Sequence, residues 1–209
     1  MTAFRRAERE RCRALRRAAG PELRASIEAN ALRLVDALVQ AKRSVVLGFY
    51  WPIQGEIGLF AAMRHACELG AVVALPVVVD RDAPLVFRRW TKATRMETGV
   101  WNIPVPEASA GEVDPHVLLV PVVGYDAQNF RLGNGGGYYD RTLAARVPRP
   151  KSVGIGITAL RMESIRPQAH DLPMDVMLTE EAFDVGCVAR WFEDRIDCAS
   201  PPCAMPEEQ

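Results

Sequence analysis

Two long runs of apolar residues constrain the fold of this chain most strongly. Residues 71–79 read AVVALPVVV and residues 117–123 read VLLVPVV, without the polar alternation of a strand that faces water. Strands that are apolar on both faces are typical of a parallel sheet covered by helices on either side. A proline near the end of each run, Pro76 and Pro121, indicates that the strand ends or bends there.

Helical patterns alternate with these strands along the chain. Helices are predicted over residues 2–19, from Pro21 onward, over residues 57–69, and from Tyr138 onward. Further strands are predicted over residues 44–50, 153–157 and 176–178. Residues 81–112 lack a clear period and predict long loops or a small hairpin over the sheet. The alternation predicts an α/β fold, a three-layer α/β/α arrangement with a mostly parallel central sheet.

Composition and charge narrow the class of protein. Hydrophobic residues make up 49% of the 209 residues, which suits one domain over residues 1–198, with a disordered tail over residues 199–209. A formal net charge of zero argues against nucleic acid, and no apolar run reaches the length of a membrane span. Five scattered cysteines suit free thiols in a reducing compartment. We therefore expect a cytoplasmic protein, a monomer or weak homodimer, with no nucleic-acid or membrane partner.

The most informative motif is residues 131–141, RLGNGGGYYDR, with four glycines in five positions. Successive free N–H groups in such a loop form a concave site for an anion, usually phosphate, and a following helix points its N-terminus at that anion. Arg131 can neutralise phosphate charge, and Asp140 can hold Mg²⁺. A dinucleotide fingerprint would need glycine at position 138, and a P-loop would need G-K-[ST] over residues 138–140, so the motif fits neither pattern. A glycine-rich surface turn remains the structural alternative.

At these residues the chain resembles the 5-formyltetrahydrofolate cyclo-ligases, whose signature R-L-G-x-G-x-G-Y-Y-D matches at every fixed position. Weaker matches occur in the same order at Gly55-Glu56-Ile57, at residues 101–106, in the strand before Asp126 and at residues 171–179. The resemblance implies an ATP-dependent ring closure that converts 5-formyltetrahydrofolate to 5,10-methenyltetrahydrofolate and releases ADP and phosphate. It implies phosphorylation of the formyl oxygen, followed by attack of N10 on the activated carbon.

The resemblance also implies which residues form the site. The implied ATP-binding residues are Arg5, Arg9, Arg131, Leu132, Gly133, Asn134, Gly135, Gly136, Gly137, Tyr138 and Tyr139. The implied folate contacts are Trp51, Glu56 and Tyr138, and the implied Mg²⁺ ligands are Asp140 and Asp175. The implied catalytic residues are Arg131, Tyr138 and Asp140.

Some of these assignments depart from the family pattern or depend on strand direction. Arg5 and Arg9 keep the spacing of the family's K-x-x-x-R pair, which puts both on one helix face, although the lysine is absent. Asn129 replaces a usual glycine, and asparagine tolerates a left-handed turn. Position 136, often lysine in relatives, is glycine here. Asp175 precedes the strand at residues 176–178, so it lies at the opposite sheet end from the loop unless that strand is antiparallel.

Other interpretations stay open at this point. Glu56 and Asp140 also suit helix N-terminal charges. Trp51 suits core packing, Tyr138 suits packing under the loop, and Asp175 suits a turn or a cap. The N-terminal arginines suit a solvated helix face. Arg88, Arg89 and Lys92 form a basic cluster that suits the glutamate tail of folate. The alternative functions are a phosphosugar-type isomerase that binds substrate phosphate in the loop, and a non-catalytic folate- or nucleotide-binding protein. ATP dependence separates the first from a cyclo-ligase, and turnover separates the second.

Overall fold

The computed structural model describes residues 2–192. Its helices are α1 (Thr2–Ala18), α2 (Pro21–Ala41), α3 (Phe60–Glu68), α4 (Tyr138–Ala145) and α5 (Gly186–Ala189). Its first six strands are β1 (Val46–Gly48), β2 (Val72–Val77), β3 (Val86–Trp90), β4 (Met96–Thr98), β5 (Pro104–Pro106) and β6 (Val117–Pro121). The remaining strands are β7 (Gly124–Asp126), β8 (Arg131–Leu132), β9 (Lys151–Ile155), β10 (Arg161–Met162) and β11 (Val176–Leu178).

The central sheet has six strands in the order β11-β9-β6-β1-β2-β3. Every neighbouring pair is parallel except β2 and β3, which pair antiparallel at one edge. The predicted mostly parallel α/β sheet is therefore confirmed. The two prolines also lie where they were expected, since β2 ends one residue after Pro76 and Pro121 is the last residue of β6.

Successive residues of β6 face opposite sides of the sheet and pack into two different apolar cores. Val117 and Leu119 belong to a large core that includes residues of α2 and α3, such as Leu34 and Met63. Leu118 and Val120 belong to a smaller core that includes Leu143 of α4, whose other members are Ala74, Leu85, Phe87 and Met174. The sheet is thus covered on both faces, as predicted for three layers.

The segment over residues 81–112 contains more regular structure than its sequence predicts. β3 forms an edge strand in which Phe87 and Trp90 are buried. β4 and β5 form the expected small hairpin. Nη1 of Arg88 donates hydrogen bonds of 2.8 Å to Oε1 of Glu97 and to the carbonyl of Pro106, so this guanidinium holds the hairpin to the sheet. These hydrogen bonds give Arg88 a structural role, which the prediction of a folate-tail cluster did not include.

A three-stranded sheet, in the order β10-β7-β8, carries the glycine-rich motif. β7 follows β6 after two residues, and β8 returns antiparallel to it. Oδ1 of Asp126 accepts hydrogen bonds from the N–H groups of Gln128 and Phe130 in the turn between them. Asn129 takes a φ of +62° in this turn, as its tolerance for the left-handed region allows. The reversal brings the carbonyl of Leu132 within 2.9 Å of the N–H of Val123, two residues beyond the carboxyl end of β6.

Among residues 2–192, no helix is both long enough and apolar enough to cross a membrane. The predicted domain end at residue 198 and the predicted disordered tail at residues 199–209 both lie outside the described residues.

Candidate active site

The loop over residues 133–137 connects β8 to the N-terminus of α4, and its shape requires glycine. Gly135 has a φ of +109° and Gly137 a φ of +67°, which residues with a side chain rarely adopt. A Cβ on Gly136 would lie 2.6 Å from Cε2 of Tyr138, so a side chain there would displace the ring. The loop presents backbone amides at a helix N-terminus, an arrangement that suits a phosphate group.

Arginines of α1 face this loop at intervals of four residues, as their spacing predicted. Nε of Arg9 donates to the carbonyl of Gly133 at 2.8 Å, and Nη2 of Arg13 donates to Oδ1 of Asn134 at 2.9 Å. Arg5 lies one turn earlier and reaches Asp171 instead of the loop. The helix therefore lays a row of guanidinium groups along the glycine loop and the segment beside it.

Arg5 and Arg9 differ in whether their charge is compensated. Nη2 of Arg5 lies 2.5 Å from Oδ2 of Asp171. Burial alone would raise the pKa of Asp171, but the hydrogen bonds from Arg5 and from the N–H of Gln168 outweigh it, so that pKa is lowered. Arg9 pairs with no carboxylate among residues 2–192. Burial first, then the charges of its arginine neighbours, lower the pKa of Arg9. The charge of Asp171 opposes this shift, so Arg9 is the member of the predicted pair that feels a carboxylate without forming an ion pair with it.

Arg131 and Asp140 form a bidentate ion pair below the loop. Nη1 and Nη2 of Arg131 lie 2.9 and 2.8 Å from the two carboxylate oxygens, and the side chains are only 4% and 13% exposed. Asp140 also accepts a hydrogen bond of 3.1 Å from the N–H of Leu172. Each partner neutralises the other, so the pair ties β8 to α4 and would have to open before Arg131 met phosphate or Asp140 met a metal.

Asp175 lies apart from this pair. Its Oδ2 accepts hydrogen bonds from the N–H and Oγ of Ser152, at 2.8 and 2.7 Å. Because β11 is parallel to β9, Asp175 lies at the amino end of the sheet, whereas the glycine loop follows the carboxyl end. No group of three or more His, Cys, Asp or Glu side chains within residues 2–192 is arranged to hold a metal ion. A Mg²⁺ site shared by Asp140 and Asp175 therefore stays a prediction.

Glu56 is a buried carboxylate beside the loop, with 6% of its surface exposed. Oε2 accepts a hydrogen bond of 3.1 Å from the N–H of Ile53, and Oε1 accepts one of 3.3 Å from Nδ2 of Asn134. Burial raises the pKa of Glu56, opposed by the Ile53 N–H and by the guanidinium of Arg16, 3.8 Å away. Asn134 thus joins the predicted folate contact to the predicted ATP loop.

Two of the predicted folate contacts, Trp51 and Tyr138, each pack against another aromatic ring. Trp51 packs its edge against Phe60, with ring centroids 5.1 Å apart, and stays partly exposed. Tyr138 packs against Trp101, with centroids 5.7 Å apart. Trp101 is 64% exposed and has a φ of +58°, unusual for a bulky residue. Trp101 belongs to the family match over residues 101–106, but its contact with Tyr138 is seen only in the structure.

Two of the predicted ATP-binding residues support the loop from below. Leu132 is buried in β8. Burial, and next the charge of Glu56, raise the pKa of Tyr139, whose ring lies 5.8 Å from the guanidinium carbon of Arg131. Leu132 can therefore offer a ligand only its backbone, whereas Tyr139 is half-buried. Arg13, which no prediction included, meets the loop directly, and its position four residues after Arg9 was the available signal.

Comparison with known proteins identifies the family of the chain. Residues 1–180 match the 5-formyltetrahydrofolate cyclo-ligase family. The chain belongs to this family. It is 32% identical over 169 residues to a 5-formyltetrahydrofolate cyclo-ligase of Mycolicibacterium smegmatis, a match that covers 76% of this chain and 85% of that protein. The predicted family and enzyme class, a cyclo-ligase, are therefore confirmed.

Solved structures show that the cyclo-ligase fold is shared. The chain superimposes on a 5,10-methenyltetrahydrofolate synthetase of Aquifex aeolicus with a TM-score of 0.69 and 26% identity, covering 86% of this chain and 91% of that one. A second such synthetase, of Mycoplasma pneumoniae, has a TM-score of 0.66 and 20% identity, covering 85% and 99%. The predicted fold class is confirmed on these grounds as well.

The Arg131–Asp140 pair predicts a stability effect for Asp140→Asn. The substitution leaves the buried Arg131 without a counter-charge, so we expect the free energy of unfolding to fall by about 3–5 kcal/mol. Urea unfolding measures it. Replacing both residues, as Arg131→Met with Asp140→Leu, should recover much of that loss because no unpaired charge remains. Unchanged stability in Asp140→Asn would contradict the structural role of the pair.

The Arg5–Asp171 pair predicts a pH-dependent stability. Because the pKa of Asp171 is lowered in the folded protein, the pair stabilises the fold above the ordinary aspartate pKa of about 4. That contribution is lost as the pH falls through the lower folded value. Asp171→Asn should therefore reduce the free energy of unfolding at pH 7 and 5, with the difference from wild type shrinking below about pH 4. A difference that stays constant across this range would contradict the assignment.

Proposed function

We propose that the protein converts 5-formyltetrahydrofolate to 5,10-methenyltetrahydrofolate and consumes ATP, with ADP and phosphate as the other products. Family membership supports the cyclo-ligase activity. The observation that carries the ATP-dependent part is the glycine loop at the N-terminus of α4, faced by the guanidinium of Arg9, which forms no ion pair among residues 2–192. Amides, a helix N-terminus and a free cation converge there, and each favours a polyphosphate.

For this reaction the protein must mainly align the two substrates and stabilise the charge of the transferred phosphoryl group. The formyl oxygen is a poor leaving group while it is part of an amide. Transfer of the γ-phosphoryl group of ATP to that oxygen releases ADP and activates the carbon. N10 then attacks the carbon, loses its proton, and the C–O bond breaks as phosphate departs, which leaves the methenyl bridge. Such phosphoryl transfer depends on positioned donors and cations more than on strong acids or bases.

The residues of the site divide between the two substrates. The amides of Gly135, Gly136 and Gly137 would bind the ATP phosphates, with Arg9 supplying positive charge. Glu56 would accept paired hydrogen bonds from the amino-pyrimidine edge of the pterin. The hydrogen bond between Asn134 and Glu56 supports this division, because transfer from ATP to a pterin substituent requires the two substrates to lie side by side.

Aromatic rings and the buried pair complete the proposed site. Tyr138 and Trp101 would offer an aromatic surface to the pterin, and Trp51 lies on the Glu56 side. Arg131 and Asp140 would act by holding β8 and α4 in register, which sets the path of the loop between them. In this arrangement Mg²⁺ would arrive with the ATP phosphates, since Mg²⁺ commonly keeps several waters and is bound largely through substrate phosphates.

A spectrophotometric assay tests the proposed function. Purified protein is mixed with 5-formyltetrahydrofolate, ATP and Mg²⁺, and the absorbance of the methenyl product is followed. The proposal expects a rise that disappears without ATP and in the presence of EDTA. A folded protein that binds folate and ATP without forming product would instead be a non-catalytic binding protein, and turnover without ATP would contradict the ATP-dependent step.

The position of Arg9 predicts the effect of Arg9→Ala on ATP use. Losing a charged donor at the loop should raise the KM for ATP about 10- to 100-fold, with a smaller change in the KM for 5-formyltetrahydrofolate. Steady-state kinetics with each substrate varied in turn measures both. Arg6→Ala is the matched control, because the side chain of Arg6 is 83% exposed on the same helix. Equal effects of the two substitutions would contradict the role of Arg9.

A further inference from the structure

We propose that Arg141 is a positioning residue of the glycine loop: it holds the carbonyl of Gly136 and thereby fixes the N–H of Gly137 for phosphate. The inference rests on the proposed function of the loop as the ATP site. Arg141 lies in the second turn of α4, behind the loop, and neither the sequence motif nor the proposed chemistry gives it a role.

The guanidinium of Arg141 contacts two backbone segments at once. Its Nη2 donates to the carbonyl of Gly136 at 2.6 Å and to the carbonyl of Arg81 at 3.1 Å, and its Nε lies 3.5 Å from the carbonyl of Ala83. Its central carbon lies 4.9 Å from the ring centroid of Tyr138. Arg141 therefore fixes the glycine loop against the β2–β3 connection and supports the ring of a predicted substrate contact.

The bond to Gly136 constrains the amide that follows it. In a planar trans peptide the C=O of one residue and the N–H of the next point in opposite directions. A carbonyl of Gly136 held toward Arg141 therefore turns the N–H of Gly137 away from Arg141. Arg9 holds the carbonyl of Gly133 in the same manner from α1, which fixes the N–H of Asn134. Guanidinium groups of two helices thus set the direction of two amides of one loop.

The fit around Arg141 leaves little freedom. A Cβ on Gly137 would lie 2.9 Å from Nη1 of Arg141, so the guanidinium occupies the space behind the loop. Within the part of the chain that the structure describes, Arg141 forms no ion pair with a carboxylate. Its positive charge is therefore available to an anion in the loop, in addition to its hydrogen bonds.

Docking of α4 does not depend on Arg141 alone. The Oγ1 of Thr142 accepts a hydrogen bond of 2.9 Å from the N–H of Leu85, and Nη2 of Arg146 donates to the Leu85 carbonyl at 3.1 Å. These contacts hold the helix to the same connection one turn away from the loop. Loss of Arg141 should consequently disturb the loop more than the fold.

The test compares Arg141→Gln with Arg149→Gln, a matched control whose Nη2 donates to the carbonyl of Pro173 away from the loop. Arg141→Gln should raise the KM for ATP about 10- to 100-fold, as expected for a displaced positioning group, and change the KM for 5-formyltetrahydrofolate less than about threefold. Arg149→Gln should leave both KM values unchanged. Arg141→Lys keeps the charge and should give an intermediate KM for ATP, and it carries the test if the glutamine variant does not fold.

A second measurement separates this inference from the proposed function. Binding of inorganic tripolyphosphate, measured by calorimetry, needs no turnover, and it should weaken in Arg141→Gln but not in Arg149→Gln. A wild-type protein that binds tripolyphosphate but shows no ATP-dependent product would defeat the proposed function, while the loss on Arg141→Gln would still support the inference. Unchanged KM for ATP and unchanged tripolyphosphate binding in both Arg141 variants would overturn the inference, as would a fall in kcat that follows lost stability alone.

Discussion

The site depends on one buried cation, the guanidinium of Arg16. Only 2% of Arg16 is exposed, and burial lowers its pKa, opposed by the charge of Glu56. Its Nη1 donates to the carbonyl of Val122 at 3.3 Å and its Nη2 to the carbonyl of Gln54 at 3.1 Å. A buried charge is tolerated only when it is bonded and balanced. Arg16 therefore joins α1 to the chain leaving β1 and to the end of β6, and so places Arg9 and Arg13 over the glycine loop.

The charges around the loop fall into two groups with different physical roles. Arg5, Arg16 and Arg131 each lie close to a carboxylate and are largely buried, so they hold segments together. Arg9 and Arg141 bond backbone carbonyls of the loop and pair with no carboxylate among residues 2–192. A polyphosphate would find its positive charge in this second group. The distinction matters because a paired guanidinium offers an incoming anion much less than a free one.

Much of the fold could be predicted because its signals are local. Apolar runs fixed the long strands β2 and β6, and the glycine motif with its following helix marked the site. β7, β8 and β10 have only two or three residues each, too few for any period to appear. β3 was not predicted, because its two arginines interrupt the apolar pattern of the strand. Phe87 and Trp90 of this strand are nevertheless buried. The direction of β11, and therefore the position of Asp175, could be learned only from the strand pairing in the sheet.

The partners of the charged residues could not be predicted for the same reason. By residue type, both Arg131 and Asp140 were candidates for a phosphate site. Only the structure, in which the chain turns from β8 into α4, shows that the two side chains bond each other. Nothing local in the sequence tells which arginine of α1 will meet Asp171 and which will meet Gly133. Pairing of charges depends on distances between segments far apart in the chain, which composition and spacing do not report.

The most direct test is a crystal structure of the protein with a non-hydrolysable ATP analogue and 5-formyltetrahydrofolate. We expect the phosphates to lie within hydrogen-bond distance of the amides of residues 135–137, with Arg9 beside them and the pterin at Glu56. Arg131 and Asp140 should remain paired. Phosphates bound at the amino end of the sheet near Asp175, or an Arg131 released from Asp140 to hold them, would contradict this arrangement.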